Sequence, residues 1–297
     1  NKRFKKQKKM ETEFIIGLLL GTIVALTITF FWVAYKYLAP KNMFFTFARE
    51  NRIIYIMSGK KWTGKVILPS KTIYVDHLDN YKIKNLSDLP IDQRIVYKKR
   101  NFFGMYWIGF WPFYSIYERH QQWMEWETTP PNGRKIKGRD EMTPYLIAKP
   151  FEYALFSKEA EDIGGVPLNV YFTAIVVPTN ARIPIFDVDD AYGQLQTLCL
   201  SQALLFTKEK TFANLGGGNN ISKELKDEFS LLISNLNDEI PGRIDGLGII
   251  EALGYEILDA KLDQIEIGGA NKETILETST LQYIAKEKAE ALKLQSE

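Results

Sequence analysis

The chain has 297 residues, 45% hydrophobic and 25% charged, with a formal net charge of +2. Six cations between Lys2 and Lys9 exceed that net, so the remaining residues sum to −4, and the basic bias of a nucleic-acid binder is excluded. Cys199 is the single cysteine; it excludes an intrachain disulfide and, among apolar neighbours, reads as a small core residue.

After the basic tail (1–13), the stretch from Phe14 to Leu38 is apolar, with no charge before Lys36. A hydrocarbon core of roughly 30 Å takes about 20 helical residues, so the stretch is predicted to span a membrane with some tilt. Trp32, Tyr35 and Tyr37 cluster at its far end, where amphipathic rings favour the headgroup region, and Lys36 can snorkel outward. A signal peptide would have an apolar core of about 7–15 residues and a small-residue cleavage site. Here aromatics and Lys36 stand in that place, so a retained anchor is expected. The basic tail places the N-terminus in the cytoplasm and the main domain outside it, against a weaker opposing pull from Lys36, Lys41, Arg49 and Arg52.

Short β-branched and aromatic runs follow: Arg52 to Met57, Lys65 to Leu68 and Thr72 to Val75, separated by Ser58-Gly59 and Pro69-Ser70. The segment 102–114 is intensely aromatic, yet Gly104, Gly109 and Pro112 argue against a long helix, and it is too short to span. One reading folds it back on the core; the other dips it into the bilayer, with Phe103, Met105, Trp107, Ile108, Phe110, Trp111 and Phe113 as membrane contacts. Tyr114 to Thr128 reads as one strand ended by Pro130-Pro131-Asn132-Gly133, and Leu168 to Val177 as the strongest strand.

Helical periodicity then takes over. Asp190 is a predicted N-cap for a helix with Ala191, Leu195, Leu198, Gln202 and Leu205 on one side. After the Gly216-Gly-Gly-Asn-Asn220 loop, Ser222 caps a second helix carrying Leu225, Phe229, Leu232, Leu236 and Ile240. Gly254 precedes a closing strand with Ile257, Ala260, Leu262, Ile265 and Ile267 inward. Strands, then helices, then a strand give the fold class α+β. In 271–297, Thr278, Leu281, Ala285, Ala289 and Leu292 follow a coiled-coil period beside a flank of both charge signs. Leu281, Ala285, Ala289 and Leu292 are the predicted oligomerisation seam; packing on the chain's own domain is the plainer alternative. No stop signal precedes Glu297, so the coiled coil is expected to continue.

Catalytic chemistry has little footing. His77 and His120 are the two histidines, both in polar segments, and no nucleophile set or metal-ligand spacing accompanies them. Asp187, Asp189 and Asp190 lack the order of a calcium loop and read as a helix start, where carboxylates favour the helix dipole. Gly216-Gly-Gly lacks the Lys-Ser/Thr of a phosphate loop. No enzyme activity, cofactor or metal is expected.

The order of parts resembles the SPFH superfamily, which comprises stomatin, prohibitin, flotillin and the bacterial pair that encloses a membrane AAA protease. Gly104 and Pro112 fall where that family has a Gly-aromatic-Pro stretch, and Asp162-Ile-Gly-Gly-Val-Pro-Leu-Asn-Val170 is similar to its strand entry. Asp187-Val-Asp-Asp-Ala191 with Gln194 to Leu204 is similar to its first helix, and Gly254 to Leu262 to its last strand. Ala285-Lys-Glu-Lys-Ala-Glu-Ala-Leu292 is similar to the start of its coiled coil. Ala203-Leu204-Leu205, where the family often has Ala-Leu-Arg, and the Gly216 loop depart from the pattern. The resemblance runs from about Asn42 to the C-terminus. It implies a membrane-proximal subdomain at 42–165, a second at 166–270, and a ring or cage enclosing a membrane microdomain. The partners implied are the lipid bilayer, copies of the chain or of a sister SPFH subunit, and a membrane protease as a candidate occupant, without nucleic acid. A structural scaffold of that kind is one hypothesis. A membrane-anchored extracytoplasmic adaptor, binding a transporter or protease as a small oligomer, is the other.

Overall fold

The structure, a computed structural model, describes residues 2–90, 104–129, 133–212, 214–215 and 221–269. It is mixed α and β, as expected, and divides into two compact units that interleave along the chain. The first comprises Asn1–Thr72, Leu86–Glu118 and Pro144–Leu146; the second comprises Ile73–Asn85, Arg119–Thr143 and Ile147–Glu297. The boundary expected at 165/166 is sequential, whereas these units interleave. Antiparallel partners distant in sequence, such as Tyr153 and Ala174, draw earlier strands into the second unit.

In the first unit, helix α1 (Lys2–Val33) continues into a wider π turn at Ala34–Leu38, closed by the Ala39 N–H donating to the Ala34 carbonyl at 2.9 Å. Strand β1 (Phe45–Phe47) follows, then β2 (Arg52–Ser58) and β3 (Lys61–Ile67). β3 starts earlier than its apolar run suggests, because Trp62 pairs with Met57 across an irregularity that Gly64, at φ +74°, accommodates. Strand β2 pairs on its flanks with β3 and with β7 (Tyr114–Ile116), and five successive buried residues, Ile53 to Met57, mark it as covered on both faces. Ile54, Ile56 and Ile67 form a core with Tyr106 and Ile108 of the aromatic segment.

The second unit holds the hairpin β4 (Ile73–Asp76) and β5 (Lys82–Asn85) and the longer hairpin β8 (Arg119–Thr129) and β9 (Gly133–Thr143). The strand expected over Tyr114 to Thr128 is therefore two, interrupted at Tyr117-Glu118. A three-stranded antiparallel sheet runs β11 (Phe151–Glu161), β12 (Pro167–Pro178), β13 (Tyr255–Ile267). Alternate β12 residues, Leu168, Val170, Phe172, Ala174 and Val176, point inward and are fully buried. Helices α2 (Ala191–Lys208), α3 (Lys223–Ser234) and α4 (Ile249–Leu253) complete the unit.

Both predicted caps form: Gly193 N–H donates to Asp190 Oδ1 at 3.1 Å and Leu225 N–H to Ser222 Oγ at 3.3 Å. The inward stripe of α2 is shifted from expectation. Ala191, Leu195 and Gln202 are buried, but Cys199, Ala203 and Phe206 complete the face, while Leu205 is exposed. Leucines surround this helix, so periodicity leaves its phase open, and the small Cys199 and Ala203 mark the side that packs closely. Burial pushes the Cys199 thiol up to about 12. In the α3 region, Phe229, Leu236 and Ile240 are buried as expected; Ile233 joins them, while Leu225 and Leu232 are half-buried. Helix α3 stops at Ser234, before Leu236 and Ile240.

The inward set of β13 is as expected: Ile257, Ala260, Leu262, Ile265 and Ile267 are all buried. Its spacing of three and two has a cause in the pairing. Leu258 and Asp263 are bulged, extra residues against β12, and each resets the alternation. The side-chain amide of Asn237 bonds both the N–H and the carbonyl of Ile257 at 2.8 Å, covering part of this edge strand.

Candidate membrane-facing surface

The surface is built from α1 and the strands that follow it. Phe14–Leu38 is 25 residues long with a mean hydropathy of 2.5, and its window is wholly exposed, so this helix is long and apolar enough to cross a membrane. Thr22, Thr27 and Thr29 donate their hydroxyls to carbonyls four residues earlier at 2.8–2.9 Å, leaving no unsatisfied donor there for lipid to meet. Near its end, Lys36 Nζ lies 5.1 Å from the Trp32 ring centre and 5.7 Å from that of Tyr37.

The chain then turns sharply. Asn42 and Phe44 take left-handed backbone conformations, and Met43 N–H returns to the Leu38 carbonyl at 2.9 Å. Strand β1 pairs antiparallel with β6 (Met105–Trp107), setting Phe45 against Trp107 and Phe47 against Met105. Sixty residues of sequence separation are thereby closed at the foot of the helix. Tyr35 and Phe47 meet edge-on at 5.1 Å, Phe45 and Trp107 at 5.0 Å, and Trp107 and Phe110 at 5.2 Å. Phe44 touches Trp107 and Phe110 as well.

The expected membrane contacts divide in two. Trp107 is 48% exposed, Phe110 65%, Trp111 52% and Phe113 71%, a ring-rich patch carried on one short segment. Met105 and Ile108 are not part of it, a correction to the sequence reading: they are 1% and 3% exposed. Met105 packs on Ala34 and Ala39 with Phe31, Leu38 and Phe45, and Ile108 belongs to the core around Ile54 and Ile67. The segment is thus both of the things envisaged for it, folded onto the core through some residues and presented outward through others. Gly109 stands between buried Ile108 and exposed Phe110, at φ +130° with a Cβ there falling 2.5 Å from the Tyr114 ring. Phe103 and the seam Leu281, Ala285, Ala289 and Leu292 lie outside the described residues.

Phe44 and Phe47 join the patch without having been predicted. Their proximity to the apolar run was a visible signal; their pairing with β6 was not. Full burial of an apolar side chain is worth roughly 1.5–3 kcal/mol, so four rings this exposed would gain on the order of 5 kcal/mol by leaving water.

The charge of the chain is unevenly divided. The first unit carries 18 Lys and Arg against 6 Asp and Glu; the second carries 20 against 30. Without the six tail cations the first unit carries 12 against 6, so the mildly acidic body inferred from composition is the sum of a basic unit and a more strongly acidic one.

Residues weighed for catalysis or metal binding have structural roles. His77 stacks edge-on to Tyr81, and His120 Nδ1 lies 3.0 Å from Asp140 Oδ1 across β8 and β9. Asp190 caps α2 and Asp187 pairs with Arg182 at 3.2 Å. Among the described residues no group of three His, Cys, Asp or Glu side chains is arranged to hold a metal. Neither a protein-family model nor a curated protein sequence matches the chain.

Proposed function

We propose that the chain is a non-enzymatic, single-pass membrane scaffold of the SPFH type, with a cytoplasmic N-terminus and its main domain outside the cytoplasm. Copies of it, alone or with a sister subunit, close into a ring or cage around a patch of bilayer and the proteins within, a membrane protease among the candidates. The observation that carries the reading is the junction at Ala34–Phe47, where a helix long enough to span leads directly into an exposed aromatic patch. Anchor and patch together hold each copy flat and in one orientation on the membrane, the condition for neighbours to close laterally. Support also comes from the order of elements: anchor, short strands, Gly-aromatic-Pro loop, the long strand after Gly-Gly-Val-Pro, helices and a closing strand. The coiled-coil seam from Leu281 to Leu292 would rise from that ring as its wall.

Particle size tests the proposal. The native protein extracted in mild detergent should sediment as a closed assembly of many subunits, visible as rings or cages by electron microscopy. A monomer or an assembly no larger than a hexamer would reject the cage and leave the adaptor reading.

A further inference from the structure

The register of β2 brings a second chemistry to the aromatic patch. Ser58, the last residue of β2, pairs with Tyr114 of β7 on one side and Lys61 of β3 on the other. Because β7 runs antiparallel to β2, the loop bearing Phe110, Trp111 and Phe113 leaves the sheet at the same end as the β2–β3 turn. Two strand spacings, roughly 10 Å, separate Tyr114 from Lys61. Ser58, Gly59, Lys60 and Lys61 are all exposed, and neither lysine makes an ion pair among the described residues. Glu50 and Glu118 stand at the opposite ends of β2 and β7, so no acidic residue of these strands shares the lysines' end.

We propose that Lys60 and Lys61 make this surface selective for anionic lipid. The rings enter the boundary between headgroups and acyl chains, while the two ammonium groups at the same edge of the sheet meet headgroup phosphates. The lysines sit about one Debye length (roughly 8 Å at physiological salt) from the ring loop, so rings seated at the boundary leave both charges within the field of an anionic leaflet. Six of the first unit's 18 cations belong to the tail on the other side of the span; the remaining 12, against Glu50, Asp88, Asp92 and Glu118, act in the same direction. This inference rests on the bilayer-contact reading of the patch.

The test uses the full chain reconstituted into vesicles of phosphatidylcholine alone or mixed with phosphatidylglycerol, with a fluorophore at Ser115→Cys on exposed β7. Cys199 is buried and leaves that label single. Quenching by brominated acyl chains should be roughly twofold stronger in the anionic vesicles, and the excess should vanish in high salt and in the Lys60→Gln/Lys61→Gln variant. Equal quenching of the unmodified surface in both vesicles would overturn the lipid selectivity and leave the contact reading standing. An anionic excess that survives the double substitution would overturn the role of these lysines. No quenching in either vesicle would overturn the contact itself, and the selectivity with it.

Discussion

Phe229 and Phe113 are the same residue in two different settings. Phe229, in the second unit, is fully buried, edge-on to Phe172 at 5.1 Å and to Phe206 at 5.2 Å. Phe113, in the first unit, is 71% exposed in a patch with Trp111 and Phe110. The two units differ in charge as these two rings differ in burial: the first is basic and carries the exposed aromatic patch, the second acidic with Phe172, Phe206 and Phe229 sealed inside. A soluble surface gains nothing from exposed rings flanked by lysines, whereas a surface lying against anionic lipid gains from both. The contrast is the one expected if the first unit meets a second apolar phase, as proposed, while the second unit is held by its own core.

The largest expected effect concerns the helix. Arginine at Leu19, Ile23 and Leu26 together should cost about 3 kcal/mol per position near the middle of the span. The triple variant should move into the supernatant on carbonate extraction of membranes, and its retention in the pellet would remove the anchor from the account. Next come the two phenylalanines. Phe229→Ala should destabilise the second unit by about 3–5 kcal/mol, read by denaturant unfolding. Phe113→Ala should leave stability within about 0.5 kcal/mol and yet reduce lipid quenching at the patch, a split that equal destabilisation by both variants would contradict.

A smaller loss, about 1 kcal/mol, is expected from Asp190→Ala, since Gly193 N–H would lose its acceptor at the start of α2. Thermal unfolding would detect it, and an unchanged midpoint would mean the cap is dispensable. The smallest effect belongs to acid. The ammonium of Lys84, 2.8 Å from Asp76, and the Leu78 and Asp79 amides hold the Asp76 carboxyl below its usual range, and Lys84 is raised in turn. A carboxyl depressed on folding adds stability above its unfolded value of about 3.9, lost as pH falls through the lower folded one. The protection factor of the Ile83 amide, its exchange relative to the unfolded chain at the same pH, should therefore fall below about pH 4, and Asp76→Asn should abolish that step.

Chemistry between near neighbours in sequence was legible in the residues. The apolar run from Phe14 to Leu38 specifies a helix able to span wherever it is placed, and Asp190 and Ser222 cap their helices through bonds three residues long. The inward residues of β13 could be chosen by their apolarity alone. The reason for their irregular spacing could not, because the bulges at Leu258 and Asp263 exist only against β12. Pairing between distant strands likewise decided the division into interleaved units, the inward turn of Met105 and Ile108, and the placing of Lys60 and Lys61 at the sheet end from which the aromatic loop leaves. Side-chain periodicity states that a strand has two faces; only its partners determine which face is covered and which is left to the solvent or the membrane.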